Sequence, residues 1–540
     1  MFDNLNIVAT SVFIFFFALV TIMGFLASRW KAGDLDHLNE WGLGGRRFGA
    51  WITWFLLGGD LYTAYTVIAV PALVYSIGAY GFFAVPYTII VYPFVYLTMP
   101  RLWAVAHRHN YVTAGDFIVG RYGDRWLALA VAFTGVLATM PYIALQLVGM
   151  EKVIGALGFH GEGLMAHAPL TIAFIILALY TYKSGLRAPA MIAFVKDAMI
   201  YIFVIAAVVI IPYELGGYGV VFDLAAKAFD AKIAAGAAAT PAVKVAAGLT
   251  LQPQQVGPFI TLAIGSAFAL FMYPHSLTGV LAANSSGAIR RNAMTLPAYS
   301  LVLGLVALLG LMALAAGVKV DNAQDAVPQL MLKMFPDWFA GFAFAAIAIG
   351  ALVPAAVMSI GAANTFTRNV WKPFVNPQMT PREESFIAKL VSLIVKVGAL
   401  LFIFLVPTKY AIDLQLLGGV WMAQIFPAVI FGLYTRWFSG PALLIGWACG
   451  MIVGTWLSWG PVTWVNVHAL VWDLPLIGKV DLGLGFNAYN GLVAVILNVL
   501  VATALSLVLR SRAADETRPE DYEDSATSDG VPATVATATM

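Results

Sequence analysis

Charge is what this chain has least of. Asp, Glu, Lys and Arg make up 11% of its 540 residues, where a soluble domain carries about 25%, so a water-facing globular surface is excluded. Cysteine is nearly absent. The single Cys449, in the apolar run from Ile445 to Val453, excludes an internal disulfide and reads as a small buried hydrophobe. A net charge of +2, with Lys and Arg gathered in short loops rather than on one face, argues against a nucleic-acid partner. Zinc-ligand spacings, a phosphate loop, a Gly-x-Ser-x-Gly elbow and Cys-x-x-Cys are missing, which argues against an enzyme, a cofactor and a nucleotide-driven pump.

What remains is 61% hydrophobic and falls into successive apolar stretches, each long enough to cross a hydrocarbon core about 30 Å thick. Thirteen spans are expected, beginning near Ile7, Trp51, Gly81, Ala128, Leu170, Ala190, Phe259, Ala298, Trp338, Phe386, Ile412, Pro441 and Gly491. Asp3 precedes the first without a basic region or a cleavage site, so it reads as a true span rather than a signal peptide. The loops after odd-numbered spans are basic: Arg29, Lys31, Arg46 and Arg47, then Arg101, Arg108, Arg121 and Arg125, Lys183 and Arg187, Arg290 and Arg291, Arg368, Lys372 and Arg382, Arg436, and finally Arg510 and Arg512. Basic loops stay inside, which predicts an outer N-terminus and a cytoplasmic C-terminus for a protein of a bacterial inner membrane. Residues 1–510 then form one all-α polytopic transmembrane domain. Residues 511–540 form an acidic tail, expected to be disordered and too short for an output domain. Residues 101–126 are too polar to span and predict a short cytoplasmic helix capped near Thr113. The alanine-rich loop 214–258 predicts a surface helix without an assigned role.

Two spans carry breaks. Span two reads Trp-Phe-Leu-Leu-Gly-Gly-Asp-Leu-Tyr-Thr-Ala-Tyr-Thr from Trp54, placing Asp60 at mid-membrane, where an acid costs about 2.5–3.5 kcal/mol unless it meets a cavity or a partner. Gly58-Gly59 is where a discontinuous helix would open, freeing carbonyls for a cation and amides for an anion; the structural alternative is close packing, with Asp60 paired to a lysine. Span seven repeats the device five spans later in Phe-Met-Tyr-Pro-His-Ser-Leu-Thr-Gly from Phe271. Interrupted helices at matching positions predict a 5+5 inverted repeat, spans 2–6 and 7–11, with the solute at the midplane between them. Groups suited to a small anion there are Thr63, Tyr65, Thr66, Tyr142, Gln146, Tyr273 and His275. His275, the one histidine placed inside a span, is either a satisfied buried group or a proton carrier. Lys196-Asp197, near the cytoplasmic start of span six, and Glu151-Lys152, at the outer end of span four, read as local ion pairs. No buried arginine for a carboxylate is evident.

Several segments are similar to those of the sodium:solute symporter family: Trp-Gly-Leu-Gly-Gly-Arg-Arg-Phe-Gly from Trp41, the interrupted Gly58-Gly59-Asp60, Val-Pro-Ala-Leu-Val-Tyr-Ser-Ile-Gly from Val70, Val-Thr-Ala-Gly-Asp-Phe-Ile-Val-Gly-Arg-Tyr-Gly from Val112, and Asn-Thr-Phe-Thr-Arg-Asn-Val-Trp-Lys from Asn364. Gly-Gly-Asp-Leu-Tyr-Thr-Ala-Tyr and Tyr-Pro-His resemble its monocarboxylate permease branch. The resemblance implies a LeuT-type fold of 13 transmembrane helices working by alternating access. It also implies a sodium site between spans two and nine, with carbonyls of Gly58, Leu61 and a residue near Gly350. Two adjacent hydroxyls complete that site in the family, but here the aligned pair is Val353-Pro354, and only carbonyls freed at a Pro354 kink would compensate.

The expectation is a symporter importing pyruvate, lactate and related short acids such as acetate, or alanine, coupled to H+ through Asp60 or His275, or to Na+ at a rebuilt site. Its partners are a small organic acid and membrane lipid, with the chain a monomer or a weak homo-oligomer. The alternatives are Na+-coupled uptake of a neutral amino acid or another polar solute, a solute-sensing receptor and a channel.

Overall fold

The computed structural model describes residues 5–30, 33–59, 63, 65–159, 167–238, 247–405, 409–459, 468–469, 471–474, 478–481, 488–509 and 515–523. Asp60 and Leu61 lie outside these. The structure is almost entirely helical, as an apolar chain in lipid must be to satisfy its own backbone. Among the described residues, two short two-stranded sheets, His468–Ala469 with Ala488–Tyr489 and Val471–Leu474 with Gly478–Asp481, are the exceptions.

Every expected starting point falls on a helix, and the helices are numbered here by the span each realises. Nine helical stretches among the described residues are long and apolar enough to cross a membrane, and Pro253–Leu270 with Pro274–Leu281 makes a tenth as a pair bent by 52°. Ala50–Gly59 with Thr66–Ile77, Ala168–Ser184 and Asn490–Ser506 are shorter apolar helices at the remaining positions. Thirteen crossings and the orientation of the termini are therefore carried forward as proposals.

Span nine, Asp337–Phe366, is the axis of the bundle. It packs against spans one, four, six and ten, and its apolar window is wholly buried. Its small residues permit this: a Cβ on Gly341 would stand 2.3 Å from the Ala9 carbonyl oxygen, and one on Gly361 2.7 Å from the His275 nitrogen. Close backbone approach through small residues holds helices together where lipid supplies no hydrophobic drive.

Several local expectations need correction. Span three runs from Ala84 to Arg108 and includes Arg101, so the polar connector is shorter than 101–126. Thr113 does cap the connector helix Ala114–Tyr122, accepting from the Asp116 N–H. Helix Tyr218–Ala238 occupies the alanine-rich loop. Glu151 and Lys152 do not pair with each other: Glu151 meets His167 at 3.1 Å and Lys152 meets Asp325 at 3.1 Å. Span nine continues as an α-helix through Pro354 rather than breaking there.

The tail also departs from expectation over Asp515–Glu523, which packs against the basic end of the bundle. Asp515 pairs with Arg121 at 2.9 Å and Arg436 at 3.4 Å. Asp521 accepts from His109 at 2.8 Å and pairs with Arg108 at 3.4 Å, while Tyr522 is buried beneath the Arg101 guanidinium. Burial opposes the Asp521 carboxylate, but hydrogen bonds from His109, the Arg518 N–H and Arg108 outweigh it and hold its pKa below the usual carboxylate range.

Candidate functional site between the two broken helices

The first half of span two ends at Gly59, and helical geometry resumes in a π-turn, Tyr65–Ala69. Between them Thr63 is fully buried and its hydroxyl accepts from the Thr66 N–H at 3.3 Å. Thr66 is buried as well; Tyr65 opens the π-turn. Span seven breaks where expected, its first half ending at Leu270 and its second starting at Pro274. Proline at that start forfeits no helical bond, because its N–H would be unpaired in any case. Span four, Arg125–Ala156, packs against both the π-turn and the second half of span seven.

Three of the expected side chains meet at the span-seven break. The Tyr142 ring lies 5.7 Å from Tyr273 and 5.6 Å from His275, and Tyr273 lies 5.1 Å from His275. All three are at most 9% exposed. Gln146, one turn beyond Tyr142, donates to the Tyr142 carbonyl at 3.2 Å. Above the aromatic group lies a cavity of about 60 Å3 lined by Tyr142, Tyr273, Tyr87, Ser266, Gln415 and Tyr489, among others, room for a few waters at about 10–15 Å3 each. The Tyr273 hydroxyl and the Gln415 side-chain oxygen find no hydrogen-bond partner among the described residues. Buried polar atoms are rarely left so, and these two face a space able to hold what they lack.

Ser266, Gln415, Tyr87 and Tyr489 were not singled out in the sequence. Ser266 was within reach only as a hydroxyl in the half-helix that ends at the span-seven break. Gln415 and Tyr489 were not, because nothing in the letters brings the starts of spans eleven and thirteen to span seven.

Toward the basic end the path is shut. A void of only about 10 Å3 remains between Thr113, Gly135, Pro274 and Thr365, and beneath it the Thr113 hydroxyl donates to Asn369 at 2.7 Å, Asn369 donates to Asp116 at 3.0 Å, and Arg368 bridges Asp116 at 3.1 Å and Glu384 at 2.8 Å. At the surface a recess of about 360 Å3 is lined by Arg125, Arg368 and Lys372 beside Asp116 and the tail's Glu516. Arg46 joins this layer, donating to the Tyr111 carbonyl at 2.6 Å; burial lowers its pKa to about 10, against the pull of Asp116. Arg187 is a fully buried arginine that sequence reading missed, but it is bound to Glu40 near this same end and cannot serve the cavity.

The expected sodium ligands are arranged less favourably. Val353 and Pro354 are buried and bring no side-chain oxygen. Pro354 has no N–H for the carbonyl four residues back, so the Gly350 oxygen lacks its helical donor. The span-six pair does form, Lys196 to Asp197 at 2.8 Å with both fully buried. It is not near the start of its span: span six begins at Arg187, which puts Lys196 about 13 Å along it. There Lys196 also donates to the Gly59 carbonyl at 2.7 Å.

A model of the sodium:solute symporter family matches residues 41–454. The chain belongs to that family. The symporter is 58% identical over 514 residues to a monocarboxylate transport permease protein of Rhizobium johnstonii, covering 95% of this chain and 99% of that one. It is 35% identical over 435 residues to the symporter YodF of Bacillus subtilis, covering 80% and 84%. Among solved structures it resembles a Na+-coupled sialic acid symporter in a substrate-bound outward-open state, with a TM-score of 0.69 and 14% identity over 93% of this chain and 98% of that one. That likeness fixes the LeuT-type fold. The symporter is a multi-pass membrane transporter rather than an enzyme, and its bacterial permease relatives place it in the inner membrane.

Proposed function

We propose that the symporter imports short-chain monocarboxylates such as pyruvate and lactate by alternating access, together with a proton. The observation that carries this reading is the small cavity at the span-seven break, lined by the Tyr142 ring and by Tyr273, whose hydroxyl has no partner among the described residues, with His275 packed against both rings. The permease from Rhizobium johnstonii, similar over nearly the whole chain, supports the substrate class. Thirteen spans with the basic end in the cytoplasm make the cavity end the outer one, so the described state is closed toward the cytoplasm.

Support for the proton is the lack of side-chain oxygen at Val353 and Pro354, together with an intramembrane acid, Asp60, and a buried histidine, His275, as candidate carriers. Sodium/proline symporters of Staphylococcus aureus, 22% identical over 472 residues, favour a second reading, Na+-coupled uptake of a neutral amino acid.

Uptake of labelled pyruvate into proteoliposomes separates the two. Accumulation under an inward proton gradient with sodium absent is the expected result. A strict sodium requirement, or uptake of proline in place of pyruvate, rejects the proposal.

A further inference from the structure

The carbonyl end of a helix carries partial negative charge and leaves its last oxygens unbonded. In a discontinuous transmembrane helix that end is where a coupling cation settles. The first half of span two ends in this way at Gly59, and its carbonyl is already taken: the Lys196 ammonium of span six donates to it at 2.7 Å.

The lysine is held there on several sides. It is fully buried, its charge is balanced by Asp197 at 2.8 Å, and Asp197 is fixed in turn by the Tyr299 hydroxyl at 2.8 Å from span eight. The two glycines are what allow the approach. A Cβ on Gly59 would stand 3.0 Å from the Lys196 nitrogen, and one on Gly58 would run into the Tyr299 ring at 2.5 Å. A pair serving only to neutralise itself would need neither the half-helix carbonyl nor a path cleared by two consecutive glycines.

We propose that the Lys196 ammonium is the built-in cation of the span-two break, doing electrostatically what a free sodium ion would do there and so excluding sodium from this position. A tethered ammonium brings its own counterion and needs no hydroxyl ligands, and span nine offers none at Val353 and Pro354. This deepens the proton-coupled reading, on which it rests, by naming the residue that decides cation choice. Lys196 acts through the span-two backbone and is a positioning residue.

The test uses the purified full chain without solute. The melting temperature of the wild type is expected to be the same in sodium chloride and choline chloride. Lys196→Ala, which leaves the carbonyl without a cation, is expected to melt lower and to be restored by sodium or ammonium but not by tetramethylammonium, which is too large. Lys196→Gln keeps a neutral donor and provides the same comparison where the alanine variant does not fold. In liposomes the variants are expected to lose uptake about tenfold, the effect of one charge-assisted hydrogen bond, with small cations restoring part of it. Stabilisation of the wild type by sodium overturns the proposal, as does a folded variant indifferent to every small cation. Failure of the carboxylate reading appears separately, as absent pyruvate uptake, because the melting experiment contains no carboxylate.

Discussion

Tyr273 is the residue on which the solute site can be tested most cleanly. Its hydroxyl bonds nothing among the described residues, so Tyr273→Phe is expected to leave the melting temperature unchanged. Losing a hydrogen bond to a charged solute costs about 1.5–3 kcal/mol, so pyruvate affinity should fall roughly ten- to a hundredfold, read as a rise in KM. Asp60→Asn tests the proton carrier: accumulation against a gradient should disappear, while exchange of labelled for unlabelled pyruvate across the membrane continues. Survival of accumulation would make Asp60 structural. At this scale the sequence was a partial guide. Adjacent opposite charges suggest a pair, but neighbours on a helix point about 100° apart. Glu151 and Lys152 accordingly reach different elements, His167 and Asp325. Lys196 and Asp197 stay together because burial leaves each with no water to turn to.

Among the elements, spans seven and nine meet backbone to backbone at the site. A methyl group on Gly361 would press on the backbone of Pro274 and His275, which cannot give as a flexible side chain would. Gly361→Ala is expected to destabilise the protein by about 1–3 kcal/mol and to depress uptake, measurable as a lower melting temperature beside lower transport. The acidic tail offers a second test. The Asp521 pKa is lower in the docked state than in a free tail, so docking gains stability above the ordinary carboxylate range and loses it as pH falls through the depressed value. Limited proteolysis should therefore spare residues 515–523 at neutral pH and cut them readily near pH ~3, below the free-aspartate value. In Asp521→Asn the cutting should depend less steeply on pH. The breaks in spans two and seven were legible because glycine and proline act locally. Docking of the tail was not, because composition reads its charges as solvated and only the fold sets Arg108, Arg121 and Arg436 opposite them.

For the whole molecule, the argument turns on net charge moved. One proton with one monocarboxylate is neutral, so the membrane potential, about 2.3 kcal/mol per charge per 100 mV, adds no driving force. Imposing a potassium diffusion potential with valinomycin should leave pyruvate accumulation unchanged, whereas a second cation would make accumulation rise with an inside-negative potential. Apolar runs and loop charges indicated a polytopic helical transporter because lipid permits few alternatives. They did not show that span nine is the axis, since its small residues read equally well as filler until their contacts with Ala9 and His275 are seen.

The cavity above Tyr273 and the recess at Arg368 leave between them only a thin layer around Thr113, Gly135 and Pro274. Electrically this layer is the dielectric of a capacitor whose plates are drawn close together. With water filling both spaces from their own sides, most of the membrane's voltage would drop across it rather than over the full 30 Å or so of hydrocarbon. A charge displaced by a single helical turn there would sense a large share of the field, so a small movement suffices to make one step of the transport cycle voltage-sensitive even where the complete cycle is neutral.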